Sequence, residues 1–386
     1  MRIVHTSDWH LGRSLHRADL RPAQEQVIGA LVETVRSERT ELVVVAGDVF
    51  DRAIPPLEAV ELFEHALVEL RAAGATVVVS SGNHDSAIRL GAHAPLIAAG
   101  GVHLRTRVGT LDRPVIVEDA HGPVGVYAIP YLEPAAVAHL LPGLEGEAPR
   151  GHTGVLGHAA GRIAADAARR GLTRTVVAAH AWVTGGAPSD SERDIAVGGV
   201  GHVPAATFAP FSYTALGHLH GAQQLAPNLR YSGSPLAYSF SEARHRKGWY
   251  VVDLDAAGTA RVEQVAAPVP RGLAAVTGRL EDLLSSRAHD DLEHHWIAAT
   301  VTDPARPVDA MERLRARFRH VLTLAWEPAE RTLDDLGYGA RVRHRSDLEI
   351  AAGFVEHVRH SAADLDECAL LGEAFEAVRV NSDEVA

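Results

Sequence analysis

Short apolar runs that end in glycine, aspartate or histidine recur along this sequence. ELVVVA at residues 41–46 ends at Gly47-Asp48, and the run Thr76–Val79 leads into another such motif. Between them, Leu57–Ala73 has the spacing of an amphipathic helix. A continuous apolar run flanked by helical segments is typical of a strand buried on both faces. The segment 1–90 therefore predicts an α/β fold with layered sheets and helices.

The polar residues at these strand ends are of the kinds that bind metal ions. In chain order they are Asp8 and His10; Asp48; Asn83, His84 and Asp85; His180; and His218 and His220. Ligand sites of α/β sheets collect beyond the carboxyl ends of strands. Side chains two apart in extended backbone point the same way. We therefore expect each Asp-x-His or His-x-His pair to face one metal ion.

The residue types at the strand ends predict a particular chemistry. An aspartate such as Asp48 can bridge two cations, and two metals roughly 3.5–4 Å apart are the usual clamp for in-line phosphoryl displacement. Mixed Asp, Asn and His ligands suit Mn²⁺, and iron or zinc less decisively. A lone strand-end histidine is more often a surface or capping residue. Several strand-end motifs in one chain instead favour a two-metal site.

Composition limits the remaining possibilities. The 386 residues suggest two domains with an appendage, and the net charge of −12 requires any nucleic-acid contact to be local. The basic residues are almost all arginine, which suits phosphate contacts but also fits codon bias. Cys368 is the only cysteine, so a disulfide framework is excluded. No apolar stretch resembles a signal peptide or a membrane span, so we expect a soluble, cytoplasmic protein.

Segments rich in proline and glycine, and segments with helical spacing, predict how the chain divides into domains. Pro142–Gly157 is rich in Gly and Pro and predicts a loop, and Ile163–Arg170 predicts a short helix. The Pro-containing stretch at 267–271 predicts a boundary, followed by a small α/β domain. Ser346–His360 and Ala362–Val380 predict two C-terminal helices. The predicted domains are residues 1–268, 269–340 and 341–386.

The strand-end motifs together resemble those of the calcineurin-like metallophosphoesterases over roughly residues 1–255. The resemblance implies a four-layer α-β-β-α sandwich that holds two divalent metal ions. By the family pattern, one ion takes Asp8, His10, Asp48 and His220, and the other takes Asp48, Asn83, His180 and His218. His84 is then no ligand but assists the leaving group over the scissile phosphate, and Asp85 orients its imidazole.

Flanking residues resemble the SbcD proteins, the nuclease subunits of bacterial SbcCD complexes. The matching segments are His5–Gly12, Gly47–Asp51 and Tyr231–Pro235, with further likeness at Ser191–Arg193 and Phe240–Glu242. This resemblance implies a Mn²⁺-dependent exonuclease and endonuclease that acts on double-stranded DNA ends and hairpins in repair and recombination. It implies a homodimer that works with SbcC, an SMC-like ATPase.

The same resemblance gives the other domains roles. The segment 269–340 would be a capping domain, and the helices within 341–386 would bind the SbcC coiled coil. The alternative is that these helices pack on their own domain. The segment Pro22–Val35 would contribute to the dimer interface.

Residues directly after the first motif are candidates for DNA contacts. They are Arg13, Ser14, His16 and Arg17. A solvated polar loop is the alternative interpretation. Asp51 stands where archaeal and eukaryotic relatives of the family carry a histidine, which leaves no second phosphate-contacting histidine at that position.

Two other functions remain open on the same core. A small-molecule phosphodiesterase or phosphatase would use the same metals, but it would need neither a capping domain nor partner-binding helices. A scaffold that has lost its chemistry would not need the complete set of ligand positions.

Overall fold

The computed structural model describes residues 1–141, 151–192, 202–328, 345–359 and 361–383. Its strands are β1 (Arg2–Thr6), β2 (Ser14–Leu15), β3 (Ala18–Asp19), β4 (Leu42–Ala46), β5 (Thr76–Ser80), β6 (Val102–Arg105), β7 (Val115–Asp119), β8 (Gly122–Ile129), β9 (Thr175–His180), β10 (Tyr213–Gly217), β11 (Gln223–Ala226), β12 (Leu229–Tyr231), β13 (Gly248–Leu254), β14 (Ala260–Ala266), β15 (Leu273–Gly278), β16 (Trp296–Val301) and β17 (Val321–Trp326).

The helices lie between and after these strands. They are α1 (Arg21–Ser37), α2 (Leu57–Ala72), α3 (Ala87–Leu90), α4 (Ala94–Ile97), α5 (Pro134–Val137), α6 (His152–Arg170), α7 (Leu280–Ser285), α8 (Ala310–Arg317), α9 (Asp347–Arg359) and α10 (Leu365–Asp383). Among the residues that the structure describes, no helix is long and apolar enough to cross a bilayer.

Two six-stranded sheets build the larger part of the molecule. The first has the order β14-β13-β1-β4-β5-β6, and the second has the order β11-β12-β10-β9-β8-β7. Strands β1, β4, β5 and β6 run parallel, as do β8, β9, β10 and β12. The carboxyl ends of the strands that carry the motifs therefore meet at one edge of each sheet.

Three apolar clusters separate the layers. One lies between helices α1 and α2 and the first sheet, one between α6 and the second sheet, and one between the two sheets. Val44 and Val78 of the first sheet pack in the central cluster with Val126 and Ala178 of the second. Strands buried on both faces need apolar residues at every position. The predicted four-layer α-β-β-α sandwich is confirmed.

The prediction for the segment before β9 was wrong. Helix α6 begins at His152 and runs for 19 residues, whereas the glycine content predicted a loop to residue 157 and a short helix from residue 163. Val155, Leu156, Ala159 and Ile163 form a buried stripe at helical spacing. That stripe outweighs the low helix propensity of the glycines, and residues 142–150 lie outside the described residues.

The remainder of the chain contains a three-stranded sheet, β15-β16-β17, and the helices α9 and α10, which contact each other. The chain separates into two compact units. The first holds residues 1–276, 283–299 and 311–324, and the second holds residues 277–282, 300–310 and 325–386. The boundaries at 268/269 and 340/341 stay predictions, and residues 329–344 lie outside the described part.

Candidate metal centre

The strand-end side chains from both sheets converge on one cluster. Three groups of ligand atoms each lie within 4.8 Å of one another: Asp8, His10 and His220; His10, Asp48 and His84; and Asp8, Asp48 and His180. The Asn83 side-chain oxygen lies 2.9 Å from His180 Nε2 and 3.2 Å from His218 Nδ1. The structure thus brings together all seven side chains that the sequence singled out as ligands.

Asp48 is the centre of this cluster. Its Oδ2 lies 3.4 Å from His180 Nε2 and 3.7 Å from His10 Nε2, so it faces ligand candidates of both proposed ions. Its Oδ1 accepts a hydrogen bond of 2.8 Å from the backbone N–H of His84. A carboxylate with one oxygen held by the backbone and the other turned into the cluster has the position that a bridging ligand requires.

The backbone at the ligands is left-handed, not extended. Asp8, His10, Asp48 and His218 have φ values of 54°, 43°, 48° and 108°. The expectation that Asp8 and His10 share a face through strand alternation was therefore wrong, because β1 ends at Thr6. Each such conformation costs about 1–3 kcal/mol outside glycine. Such strain persists only where the surroundings hold the backbone in place.

Hydrogen bonds between the first two motif loops hold this conformation. The backbone N–H groups of Asp8, His10 and Leu11 donate to the carbonyl oxygens of Gly47, Asp48 and Val49 at 2.9–3.0 Å. The loop after β1 thus forms a short ladder with the loop after β4. These hydrogen bonds fix the backbone positions of Asp8 and Asp48 relative to each other.

Glycine is required at two of the closest approaches. A Cβ atom on Gly217 would lie 2.0 Å from the Ala46 carbonyl oxygen, and one on Gly82 would lie 2.1 Å from Asp48 Oδ1. These contacts are too short for any side chain. Gly217 therefore allows a loop of the second sheet to approach the first sheet, and Gly82 allows the loops after β4 and β5 of the first sheet to approach each other.

Hydrogen bonds also orient individual ligands. His180 Nδ1 lies 2.9 Å from the Ala46 carbonyl oxygen, so Nδ1 carries the proton and Nε2 faces Asp48. Both carboxylate oxygens of Asp8 accept the His218 backbone N–H, at 3.0 and 3.1 Å. Ser7 Oγ donates to the same carboxylate at 2.5 Å.

Burial and neighbouring charges set the protonation of the cluster. Burial keeps the pKa values of His10 and His218 well below the ordinary histidine value, so both rings are neutral. Burial opposes ionisation of Asp48, but His180 and its neighbours hold the Asp48 pKa well below its usual range. Burial raises the pKa of Asp8 to about 6. Burial opposes the charged form of His180, but the Asp48 carboxylate raises the pKa of that ring to about 9, so a metal ion bound there would displace a proton, because imidazoles bind metal ions in the neutral form.

Two imidazole nitrogens of the described cluster residues lack a hydrogen-bond partner, and two others face each other inside the cluster. Among the described residues, His10 Nδ1 and His218 Nε2 are buried and have no hydrogen-bond partner. His10 Nε2 and His220 Nε2 lie only 3.0 Å apart. Burying a polar group without a partner costs about 1–3 kcal/mol. Imidazole nitrogens crowded around two carboxylates fit divalent cations, and the donor set suits them chemically.

His84 lies beside the ligands with its ring held by the neighbouring loop. Its Nδ1 lies 2.8 Å from the Asp51 carbonyl oxygen, and its Nε2 lies 4.0 Å from Asp48 Oδ2. The expectation that Asp85 orients this imidazole needs correction. The Asp85 carboxylate accepts the backbone N–H groups of Val49, Phe50 and Gly82 at 2.9–3.1 Å. Asp85 therefore shapes the two loops on which His84 and Asp48 stand.

Comparison with known proteins agrees with this geometry. The family model for calcineurin-like phosphoesterases matches residues 1–153, and a model described as the type 5 capsule protein repressor C-terminal domain matches residues 269–359. The SbcD component of the SbcCD nuclease of Bacillus subtilis (strain 168) is 39% identical over 264 residues. Residues 1–153 of the chain therefore match a calcineurin-like phosphoesterase domain. The resemblance to SbcD predicted from the flanking residues is confirmed as a likeness over 264 residues, and the predicted phosphoesterase domain is confirmed over residues 1–153.

The extent of these matches is limited. The match to the Bacillus subtilis protein covers 66% of this chain and 66% of that protein, which is just under two thirds of its length. The protein TT1561 of Thermus thermophilus has a TM-score of 0.39 at 13% identity, covering 68% of this chain and 98% of that one. A dimetal phosphatase from Danio rerio has a TM-score of 0.41 at 13% identity, covering 70% and 97%.

The four candidate DNA contacts of this phosphoesterase separate into two kinds. Ser14, His16 and Arg17 belong to an exposed hairpin of β2 and β3, with His16 and Arg17 in left-handed turn conformations. Arg13 instead donates to the Ser191 carbonyl oxygen at 3.1 Å, and its guanidinium lies 5.1 Å from the centre of the Tyr238 ring. The hairpin is open to a ligand, whereas Arg13 is engaged inside the protein.

Sequence reasoning missed a group of buried polar residues behind His220. They are Ser191, Glu242 and Lys247, with the half-buried Glu192 beside them; Ser191, Glu192 and Glu242 had been noted only as part of the likeness to SbcD. Lys247 is the only lysine of the chain, and it is buried. A single lysine in an arginine-rich sequence was the signal that could have pointed to this group.

Proposed function

We propose that this phosphoesterase is a Mn²⁺-dependent DNA nuclease that acts as the nuclease subunit of an SbcCD-type complex. The proposed substrates are double-stranded DNA ends and hairpins, cleaved as exonuclease and endonuclease in repair and recombination. The observation that carries the proposal is the cluster of seven ligand candidates. His84 lies within ligand distance of His10 and Asp48, and we assign it to the chemistry and not to the ligand set because the family pattern does so. The likeness to the SbcD protein of Bacillus subtilis supports the choice of DNA.

The proposed ligand sets share Asp48. One ion would be held by Asp8, His10, Asp48 and His220, and the other by Asp48, Asn83, His180 and His218. When bound, a pair of divalent ions polarises the phosphoryl group and supplies the nucleophile at neutral pH. The left-handed loops and the glycine contacts keep the ligands in place, so little reorganisation accompanies binding.

His84 is the proposed catalytic residue outside the ligand set. Because its Nδ1 donates to the Asp51 carbonyl oxygen, Nε2 carries a proton only when the ring is cationic. A cationic His84 can stabilise the charge that develops on the phosphoryl oxygens and protonate the departing alcohol oxygen. The Asp85 contacts to the backbone keep the loop that carries His84 in register with Asp48.

The exposed hairpin of β2 and β3 is the proposed contact to the DNA backbone. His16 and Arg17 stand at its turn and are exposed, and His16 lies against the Phe240 ring with a centroid distance of 5.6 Å. The net charge of −12 requires such a local contact, because phosphate attraction depends on the cations that lie nearby.

The C-terminal helices are the proposed docking element for an SbcC-type SMC-like ATPase. Phe354 and Val358 of α9 and Leu365 and Leu370 of α10 are exposed apolar side chains. Exposed apolar rows on a helix pair suit helix-on-helix recognition of a coiled coil. The segment 269–340 is proposed as a capping domain next to the DNA, which the match of residues 269–359 to a separate family model supports.

A homodimer is also part of the proposal. Exposed apolar side chains cluster on helix α2, where Leu57, Val60 and Val68 lie outside the core, whereas α1 turns its apolar face to the first sheet. Helix α2 is therefore a better candidate for the dimer contact than the predicted Pro22–Val35 segment. Replacing Val68 with glutamate should convert a dimer to monomers in light scattering, and an unchanged mass would reject this contact.

The deciding experiment compares substrates with one metal-loaded preparation. Purified full-length protein with Mn²⁺ should degrade linear double-stranded DNA and open hairpins, and should hydrolyse cyclic nucleotides far more slowly. Preference for cyclic nucleotides or small phosphate esters would favour the small-molecule phosphodiesterase or phosphatase instead. Deleting residues 346–386 should abolish co-purification with an SbcC-type ATPase and leave cleavage of short DNA intact.

A further inference from the structure

His220 is the most completely held side chain of the cluster. Its backbone N–H donates to Glu192 Oε1 at 2.7 Å, and its carbonyl oxygen accepts from Lys247 Nζ at 2.8 Å. Its ring Nδ1 lies 2.6 Å from Ser191 Oγ. Of its polar atoms, Nε2 remains, and it faces His10 Nε2 inside the cluster.

The partners of Ser191 decide which ring nitrogen of His220 carries the proton. Ser191 Oγ donates to Glu242 Oε1, and a carboxylate can only accept. The single hydroxyl proton is therefore used, and Ser191 Oγ can only accept from His220. The proton must sit on Nδ1, which leaves the Nε2 lone pair turned towards the other ligands.

Lys247 keeps Glu242 ionised and in place. Its ammonium donates to Glu242 Oε2, to Ser234 Oγ at 2.8 Å and to the His220 carbonyl oxygen. These three acceptors use all three protons of the ammonium. Both side chains of the pair are buried, and a buried charge of either sign is costly without its partner. Lys247 therefore holds Glu242 through Oε2, and the other carboxylate oxygen, Oε1, faces Ser191 and His220.

We propose that Ser191, Glu242 and Lys247 are positioning residues that fix the ring orientation and tautomer of His220, so that Nε2 is presented to a divalent metal ion. The inference rests on the proposed metal site but not on the DNA substrate. The ring of His180 must also be oriented, and a single acceptor, the Ala46 carbonyl oxygen, does this. The His220 side of the cluster depends instead on a chain of side chains, which a point substitution can interrupt.

Ser191→Ala is the variant that breaks the chain with the least disturbance, because it leaves the Glu242–Lys247 pair intact. Titration calorimetry of metal-free full-length protein with Mn²⁺ should give two ions for the wild type. In Ser191→Ala, one ion should bind about 10–100-fold more weakly, since losing a residue that orients a ligand has effects of that size. The other ion should bind as in the wild type.

Three further variants separate positioning from a general structural effect. Ser191→Thr keeps the hydroxyl and should restore both affinities, and Glu242→Gln, of similar volume, should weaken the same ion as Ser191→Ala. Ser241→Ala is the matched control, because this hydroxyl accepts from Asp190 N in the same loop and has no contact with His220. His220 Nδ1 also lies 3.3 Å from Glu242 Oε1, so nitrogen-15 shifts of the ring should report a protonated Nδ1 in the wild type and a mixture of tautomers in Glu242→Gln.

The outcomes distinguish this inference from the proposed function. If Ser191→Ala and Glu242→Gln bind both ions with wild-type affinity and His220 keeps its tautomer, the positioning role is refuted while the metal site stands. A wild-type protein that binds no Mn²⁺ overturns both. Thermal unfolding of the metal-free variants checks that each one folds.

Discussion

The metal cluster and the C-terminal helix pair are opposite ways of building a functional surface. Six of the seven ligand candidates are buried, and four of them stand on left-handed backbone. Helices α9 and α10 leave Phe354 56% and Leu370 65% exposed, and they contain no buried side chain on α9. The difference is that hydrogen bonds of the fold itself hold the ligand candidates, whereas the apolar side chains of the helix pair are exposed and available to a partner.

The largest effect is expected from Asp48→Asn. This substitution removes the negative charge that both proposed ions share, and breaking a buried charge pair costs about 3–5 kcal/mol. Mn²⁺ affinity should fall by roughly two to three orders of magnitude, and DNA cleavage should fall with it. Calorimetric titration measures the first and a nuclease assay the second. Asp51→Asn is the control, because it changes a nearby carboxylate outside the ligand set and keeps the backbone carbonyl that holds His84.

His84→Ala should separate chemistry from metal binding. Positioned proton transfer contributes about 10²–10⁴-fold to a rate, so cleavage should fall by that factor. Metal content, measured by mass spectrometry, should stay at the wild-type level. A variant that loses its metal would make His84 a ligand and contradict its proposed role. His93→Ala, an exposed histidine at the start of α4, is the matched control.

A substitution in the helix pair should weaken binding of the partner and leave metal-dependent cleavage unchanged. Phe354→Asp removes an exposed aromatic side chain from the proposed docking surface, and loss of an aromatic anchor typically costs about 2 kcal/mol or more of binding energy. Affinity for an SbcC-type ATPase should fall about 30-fold, with unchanged Mn²⁺-dependent cleavage of short DNA. Val308→Asp alters an even more exposed apolar residue outside these helices and should leave the affinity unchanged. Equal loss in both variants would mean that the surface lies elsewhere.

The smallest effect is expected where α9 and α10 are joined by charge. Arg359 forms a two-pronged ion pair with Glu367, but both side chains are substantially exposed. Exposed pairs are screened by water and salt and contribute little. Arg359→Ala should therefore leave the thermal unfolding midpoint within experimental error. A clear decrease would indicate that the helix pair is more rigidly set than its exposure implies.

The sequence allowed the layers and the ligand set to be predicted, but not the local backbone that unites the ligands. Apolar runs such as that of β4 are visible in the sequence because both faces are buried. The left-handed conformation of Asp8 and His10 is not visible, because it depends on hydrogen bonds to a loop about forty residues away in the chain. Strand alternation correctly predicted that Asp8 and His10 lie near each other, but left-handed loop backbone and not an extended strand brings them together.

Long-range side-chain partners were the other limit of sequence reasoning. Asp85 was expected to hold His84 because the two are adjacent, yet its acceptor atoms serve the backbone of both motif loops. Glu242 and Lys247 are far from Ser191 in sequence, and no periodicity connects them. The predicted helix before β9 was too short because the glycine content of the segment was weighted above the spacing of its apolar residues.

The central apolar cluster has a consequence for how the fold responds to heat. The ligand candidates come from both sheets, so Asp48 from the first sheet and His180 from the second can hold one ion only while the layers keep their alignment. A ligand that binds the folded state alone adds its binding energy to folding, about 2.7 kcal/mol at a concentration one hundred times its dissociation constant. Mn²⁺ in solution should therefore stabilise the packing of the two sheets on each other, and chelation of Mn²⁺ should lower the thermal unfolding temperature of the protein.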